Sequence, residues 1–248
     1  MSEDIFSRNE LFWGKENQNI LSDKHVAIFG LGGVGGFCAE ALARAGIGGL
    51  TVIDFDEVSL SNINRQCVAF HSTVGKSKAK LFEARLKDIN PNIKLHVVDD
   101  FYLDSFDFNG VDYVADAIDT MRSKIELLES CIKAGIPVIS SMGAGNRIDP
   151  SKLYICDISG IENKNAPFIS NIIYQLKKRG IEKGITVVAS REKPFVREKL
   201  SSTEQIVTKS GKNIEFTKIT PSSTPFVASC AGIFMASYIT QSFLKDYR

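Results

Sequence analysis

The chain has 248 residues, 44% hydrophobic and 24% charged, and its 30 Lys+Arg against 29 Asp+Glu leave a formal net charge of +1. That balance predicts neither a polyanion binder nor an acidic protein and leaves room for a local basic patch, while the length and apolar share suffice for a sizeable α/β core. Five scattered cysteines (Cys38, Cys67, Cys131, Cys156, Cys230) contain no C-x-x-C pair, which argues against a disulfide framework and a cysteine-ligated zinc. The N-terminus, MSEDIFSRNE, is charged and lacks the apolar region of a signal peptide, so a reducing cytoplasm is the expected location.

Residues 1–24 read as a polar lead-in with one or two short helices that carry Phe6, Arg8, Leu11 and Trp13. An apolar strand at 26–29 feeds the glycine turn Gly30-Leu31-Gly32-Gly33-Val34-Gly35 and an alanine-rich helix at 37–45. Gly46 then ends the helix, and a second strand, 50–54, closes on Asp54. This is the nucleotide-binding βαβ fingerprint, with Gly35 and Asp54 separated by close to the roughly 20 residues it expects. Gly30 allows the tight turn, Gly32 lets backbone approach a phosphate, and Gly35 lets the helix pack close to the strand. Alone it specifies a nucleotide with phosphates on a helix N-terminus and ribose on Asp54.

Residues 56–73 form a long polar connection, after which Gly75 and Lys76 lead into a helix with Ala79, Phe82, Leu86 and Ile89 on its apolar face. Strands at 94–98 and 113–117, a helix at 121–134 and a strand at 137–141 follow. The Val- and Ile-rich strands mostly lack alternation, which predicts a Rossmann-like α/β fold: a mostly parallel twisted sheet with helices on both faces. Extra strands at 152–158 and 184–190, a basic helix at 168–179, a possible strand near 214–216 and a C-terminal helix at 225–244 extend it. In that last helix Val227, Cys230, Ala231, Phe234 and Tyr238 are expected to form the buried face, with Cys230 a structural thiol. Its polar content favours a buried helix over a membrane span, so no membrane contact is expected. The irregular stretch 191–224 reads as a functional loop. With no internal repeat or linker, 1–248 is expected to be one unit: lead-in 1–24, nucleotide-binding core 25–150, and a substrate and dimer extension 151–248.

Asn62, Arg65 and Gln66 lie in a loop that starts above the C-terminal edge of the sheet, where open α/β sheets bind ligands. Lys78 falls in the first turn of the next helix and adds to its positive end. Asp116 and Asp119, in DAIDT, end another strand on that edge, and Asp116 is read as satisfying backbone or capping a helix. Two cations, a metal-capable carboxylate and a glycine-turn helix suit a triphosphate with magnesium better than a dinucleotide. Charge then develops on the transferring phosphorus and on the leaving pyrophosphate. Cys67 is close to this loop, while His25 and His71 lack a partner pattern for general-base work.

The ordered motifs G-x-G-G-x-G, D-x-D-x-V, S-N-x-x-R-Q, the lysine of G-K-S-K, and D-A-x-D, over about residues 6–150, resemble the ubiquitin-activating-enzyme-like family of ThiF, MoeB and HesA. The resemblance implies an ATP-dependent adenylating enzyme with magnesium and no zinc. Asp54 would hold the ribose hydroxyls with Asp56 beside it, and the amides around Gly30, Gly32, Gly33 and Gly35 would approach the phosphates. Asn62, Arg65 and Lys78 would contact the triphosphate, and Asp119 would bind the metal. Arg8 stands where the family has an arginine reaching into a neighbouring protomer's site, which implies a homodimer.

Within the family, SMGAGNRIDPSKLYICDIS and LKKRGI followed by VVASRE resemble the TcdA (CsdL) group. Its members use ATP to dehydrate threonylcarbamoyl-adenosine beside the tRNA anticodon, making the cyclic form. The substrate carboxylate attacks the α-phosphorus, giving an acyl-adenylate and pyrophosphate; the modification's own nitrogen or oxygen then expels AMP. No enzyme cysteine is required. The implied partner is tRNA, with Lys177, Lys178 and Arg179 as candidate phosphate contacts, and a sulfur-relay protein is a further candidate. The rival readings are an adenylyltransferase that activates a ubiquitin-like sulfur carrier, a nucleotide-binding interaction module without catalysis, and an NAD dehydrogenase.

Overall fold

Successive residues of the central strands enter opposite apolar layers, and this alternation sets the sheet between two helical faces. The computed structural model describes residues 4–101, 106–164, 166–197, 200–207 and 213–245. Seven strands, β1 (His25–Phe29), β2 (Gly49–Ile53), β3 (Lys94–Val98), β4 (Tyr113–Asp116), β5 (Val138–Ser141), β6 (Leu153–Asp157) and β7 (Thr186–Ser190), form one sheet in the order β3-β2-β1-β4-β5-β7-β6. All neighbours pair parallel except β6, which runs antiparallel to β7 at the edge. The helices are α1 (Ser7–Ser22), α2 (Gly35–Ala45), α3 (Lys78–Ile89), α4 (Met121–Ala134), α5 (Pro167–Lys178) and α6 (Pro225–Phe243).

Val26, Ile28, Leu50 and Val52 pack with Leu42, Phe82 and Met235 from α2, α3 and α6. Ala27, Phe29, Val114 and Val138 face Leu128, Ile172 and Leu176 from α4 and α5. Covered on both faces, β2, β4 and β5 are buried along their whole length, which is why they read as continuous apolar runs. The expected α/β fold is borne out. Strand order reverses between β1 and β4, and this switch point opens a crevice at the C-terminal edge.

Two glycines shape that crevice. Gly30 sits at φ 86°, and a Cβ there would lie 2.9 Å from the Ala117 carbonyl oxygen after β4. A Cβ on Gly35 would collide with the Gly30 carbonyl oxygen. Gly35→Ala is therefore expected to push α2 off β1 and lose about 1–3 kcal/mol of stability. Alanine is intrinsically the better helix former by roughly 0.5–1 kcal/mol. A denaturant titration showing no net loss would refute the clash.

The lead-in behaves as expected: α1 is two short helical segments across a kink at Gly14 (φ 84°, ψ 157°). The face assigned to α6 needs correction. Val227 and Ala231 are buried, but so are Ala228, Gly232, Met235, Ala236, Ile239 and Thr240, whereas Cys230 and Phe234 are half-buried and Tyr238 is exposed. The small residues Ala228, Gly232 and Ala236, four apart, bring α6 close to the start of α2; a Cβ on Gly232 would strike the Val34 carbonyl oxygen. Close backbone approach, rather than side-chain size, selected the inward face. Stretch 191–224 also departs from expectation. It contains β8 (Leu200–Val207) and β9 (Asn213–Thr220), a separate antiparallel pair of which only 214–216 was anticipated, while 208–212 lie outside the described residues.

Candidate active site

The glycine turn leaves β1 and starts α2, whose N-terminus has no side-chain cap. Gly36 N donates to the Gly32 carbonyl at 3.1 Å, which leaves the amides of the turn at Gly32, Gly33 and Val34 to meet an anion. Asp54, at the end of β2, is 7% exposed. Its carboxylate accepts from the Leu31 amide of the turn and, at 2.8 Å, from the Asp56 amide. Burial pushes the Asp54 carboxyl above its ordinary range, and the Lys78 charge opposes that rise. Lys78, only 4% exposed, holds Asp56 Oδ2 at 2.7 Å.

The polar connection after β2 is held by its own side chains. Asn62 Oδ1 accepts from Ser59 N at 3.1 Å, which leaves its Nδ2 to donate elsewhere. Arg65 Nη1 donates to Ser61 O and Asn64 Oδ1, both at 2.9 Å. Burial lowers the Arg65 guanidinium, and the charge of Asp119 across the crevice opposes that shift. A Cβ on Gly33 would lie 3.3 Å from Arg65 Cγ and 3.2 Å from Ala228 Cβ, so Arg65 and the first turns of α6 close over the turn.

These contacts gather Gly30, Gly32, Gly33, Gly35, Asp54, Asp56, Asn62, Arg65, Lys78 and Asp119 at one sheet edge. Arg8 is not among them. It is exposed on α1, whose Asn9 and Gln18 bond carbonyls of Arg44 and Ala45 at the other end of α2. That helix of 11 residues puts Arg8 roughly 16 Å from its own glycine turn.

The edge fits a nucleotide triphosphate. Within 4 Å of a Cβ on Gly32 lies only Gln66 Nε2, at 3.7 Å. Gln66 Oε1 is a buried oxygen without a hydrogen-bond partner among the described residues, an acceptor awaiting a donor. Among the described residues no group of three or more His, Cys, Asp or Glu could hold a metal. Asp119, with an exposed carboxylate at this edge, is the residue that would hold magnesium.

The sequence model of the ThiF family matches residues 6–242. The chain belongs to the ThiF family. Its relatives include the tRNA threonylcarbamoyladenosine dehydratase of Bacillus subtilis (strain 168), 42% identical over 251 residues, covering 97% of this chain and 95% of that protein. The molybdopterin-synthase adenylyltransferase of Escherichia coli (strain K12) is 37% identical over 138 residues, covering 54% of each. Among solved structures, E. coli tRNA N6-threonylcarbamoyladenosine dehydratase, TcdA, in complex with ATP is similar with a TM-score of 0.81 at 29% identity, covering 96% of this chain and 93% of that one.

Beneath the ThiF site lies a group that sequence reading missed. Lys124 Nζ bonds Asp116 Oδ2 at 2.6 Å and Ser140 Oγ at 3.0 Å, and Ser140 Oγ donates to the same Asp116 oxygen at 2.6 Å. Lys124 and Asp116 have no exposed side-chain surface. Asp116 Oδ1 accepts from Ile118 N at 3.0 Å, as the backbone role assigned to Asp116 required, and so shapes the turn that carries Asp119. The available signal was Lys124 itself: it shares the inward stripe of α4 with Leu127, Leu128 and Cys131, where a charge must be paired.

Cys67 is half-buried, and burial, reinforced by the nearby charge of Glu40, pushes its thiol up to about 11. At pH 8 roughly one part in a thousand is thiolate, too little for a ready nucleophile. Cys67→Ser is expected to keep turnover, and iodoacetamide should label Cys67 far more slowly than a free thiol. Loss of turnover in a variant with an unchanged melting temperature would make the thiol part of the chemistry.

The basic end of α5 sits elsewhere. α5 runs back to the start of β7, so Lys177, Lys178 and Arg179 lie at the N-terminal edge of the sheet, opposite the glycine turn. Arg179 Nε pairs with Glu129 at 2.9 Å, and Lys178 Nζ lies 4.5 Å from the Tyr174 ring centre.

Proposed function

We propose that this ThiF-family protein is a cytoplasmic enzyme that uses ATP and magnesium to adenylate the carboxylate of threonylcarbamoyladenosine in tRNA and thereby drive its cyclisation. The observation that carries this reading is extent of likeness. Similarity to the B. subtilis dehydratase covers 97% of the chain and likeness to the E. coli TcdA structure 96%, through the extension at 151–248, whereas similarity to the molybdopterin-synthase adenylyltransferase covers 54%. The ATP site is common to both readings and the extension is not. The whole chain then acts as one adenylating unit.

The residues divide the work. Open amides around Gly32 and Gly33 receive phosphate oxygens, Asp54 keeps acceptor capacity for ribose hydroxyls, and Gln66 Oε1 offers one more acceptor. Arg65 and Lys78 balance charge on the transferring phosphorus and on pyrophosphate, Lys78 exchanging Asp56 for phosphate; Asn62 Nδ2 adds a donor. Magnesium, held through Asp119, would supply further charge neutralisation. The substrate carboxylate displaces pyrophosphate from the α-phosphorus. The nitrogen or oxygen of the modification next attacks the activated carbonyl, and AMP leaves with the oxygen that the substrate loses as water. Both reacting groups belong to one nucleoside, so holding it still is the enzyme's main task.

The decisive experiment incubates the protein with ATP, magnesium and tRNA carrying threonylcarbamoyladenosine, then seeks loss of one water by nucleoside mass spectrometry. Pyrophosphate exchange that depends on a sulfur-carrier protein, with no change in the tRNA, would select the adenylyltransferase reading and a sulfur-relay partner. The cations at the end of α5 would meet only RNA distant from the reacting nucleoside.

A homodimer belongs to this proposal. Arg8, Leu11 and Phe12 share one exposed face of α1. Beside them a groove of about 370 Å³ runs between α1, α2 and α6, lined by residues that include Phe12, Trp13, Ala41 and Ile233. A second copy seated there would cover that apolar surface and take Arg8 out of its own subunit. Sedimentation is expected to show a dimer, and a fully active monomer would remove the role of Arg8.

A further inference from the structure

Residues 191–197, RE-KPFV-R, leave the end of β7 at the same sheet edge as the glycine turn, because β7 runs parallel to β5, β4 and β1. Arg191, itself exposed, and Glu192 are engaged by the protein. Arg191 pairs with Glu162 at 2.8 Å, and its guanidinium lies 4.4 Å from the Tyr154 ring centre. The Glu192 carboxylate accepts from the amides of Ile148 and Asp149, at 3.1 and 2.9 Å, while its carbonyl accepts from Arg147 Nε at 3.1 Å. Phe195 N donates to the Asn146 carbonyl at 2.8 Å.

Asn146 is the clamp. It is the non-glycine residue with positive φ (61°) among the described residues, a conformation asparagine tolerates best. Its Oδ1 accepts from Ser222 N at 2.9 Å, Asn64 Nδ2 donates to Ser223 O at 2.9 Å, and Asn64 Oδ1 takes Arg65 Nη1 at 2.9 Å. A continuous line of hydrogen bonds thus ties the strap to the loop that carries Arg65.

The remaining outward side chains are apolar or cationic. Phe195 is 67% exposed, Val196 is also exposed, and Lys193 and Arg197 flank them. Among the described residues no carboxylate pairs with either cation. The one acid of the strap, Glu192, is turned to backbone amides. What faces solvent is a flat aromatic ring between two cations that have no carboxylate partner among the described residues, beside the adenylation site.

We infer that strap 191–197 receives the single-stranded loop of the RNA substrate, with Phe195 stacking on an unpaired base and Lys193 and Arg197 meeting phosphates on either side. A pinned aromatic is a sequence-tolerant platform that loses little freedom on binding, and the cations add attraction without base choice. The inference rests on the tRNA reading above and names the surface that presents the nucleoside to the crevice. A second protein copy fits less well, because two unpaired cations would face their own like in a symmetric contact.

The test is equilibrium binding of a fluorescent RNA stem-loop carrying threonylcarbamoyladenosine in its loop, with turnover of full-length modified tRNA measured in parallel. Phe195→Ala is expected to weaken binding and raise KM about ten-fold, with the melting temperature unchanged, and Phe195→Trp to restore both. Lys193→Gln and Arg197→Gln should each flatten the logarithmic salt dependence of binding by roughly 0.7. Wild-type affinity and KM in Phe195→Ala, or a wild-type protein that binds no RNA, would overturn the inference. So would a shift from dimer to monomer in Phe195→Ala, which would make the patch a contact between copies. Phe195-dependent binding without cyclised product would keep the surface and discard the dehydratase reading. Conversion untouched by Phe195→Ala would do the reverse.

Discussion

Arg65→Ala, Lys78→Ala and Asp119→Ala are each expected to cut turnover by about 10²–10³ while leaving the chain folded. The size follows from where the groups stand: Arg65 and Lys78 flank a helix N-terminus that no side chain caps, and Asp119 faces Arg65 across the β1–β4 crevice. Structural losses should be small. Lys78 leaves behind Asp56, whose side chain is 43% exposed and can be solvated, and Arg65 bonds only exposed loop groups. The variants separate the roles. Arg65→Ala and Lys78→Ala should lower the rate at any magnesium concentration, whereas Asp119→Ala should also shift the magnesium dependence to higher concentration. Lys78→Ala removes the charge that opposes the rise in the Asp54 carboxyl, so Asp54 should titrate higher still and ATP affinity should begin to fall at a higher pH than in the wild type. The proposed action of these groups on one phosphate chain makes losses in a double variant less than multiplicative. AMP formation and melting temperature are the readouts, and near-wild-type turnover in Asp119→Ala would end the metal assignment.

How much of this was legible depended on whether a residue's partner lay nearby in sequence. The parallel strands were legible because burial on both faces leaves continuous apolar runs such as VAIF and LTVI, and the glycine turn because each glycine answers a local steric demand. The positions of Arg65, Lys78 and Asp119 at one edge followed from parallel topology, since every loop after a parallel strand opens on that edge. The inward face of α6 was misjudged because ranking by hydrophobicity favours Phe234 and Tyr238, while contact with α2 required Gly232 and Ala236. The pair β8 and β9 was hidden by Ser-, Thr- and Lys-rich composition that gives no contrast between faces. The strap was illegible for a different reason: Arg147 meets Glu192 across 45 positions and Asn146 meets Ser222 across 76, and no local pattern encodes such separations.

Lys124→Met is expected to destabilise the chain by about 3–5 kcal/mol, because it strands a carboxylate in the interior. Asp116 and Lys124 are shielded from solvent completely and are 2.6 Å apart, and Ser140 is the remaining partner of the carboxylate oxygen that faces Lys124. Removing both charges should be far milder, since a buried ion pair replaced by apolar groups of similar volume is often neutral or stabilising. Two double variants therefore distinguish stability from positioning. Lys124→Met with Asp116→Asn keeps an acceptor for Ile118 N, and so the turn that presents Asp119. Lys124→Met with Asp116→Leu fills the space and abolishes that bond. Both should recover much of the lost stability in a denaturant titration. Only the asparagine pair should recover turnover, while the leucine pair should need more magnesium for a given rate, as Asp119→Ala does. If Lys124→Met unfolds within 1 kcal/mol of the wild type, by the ~1 kcal/mol scale of ordinary substitutions, the pair is not a structural keystone. If the leucine pair turns over normally, Asp116 supports the fold and does not position Asp119.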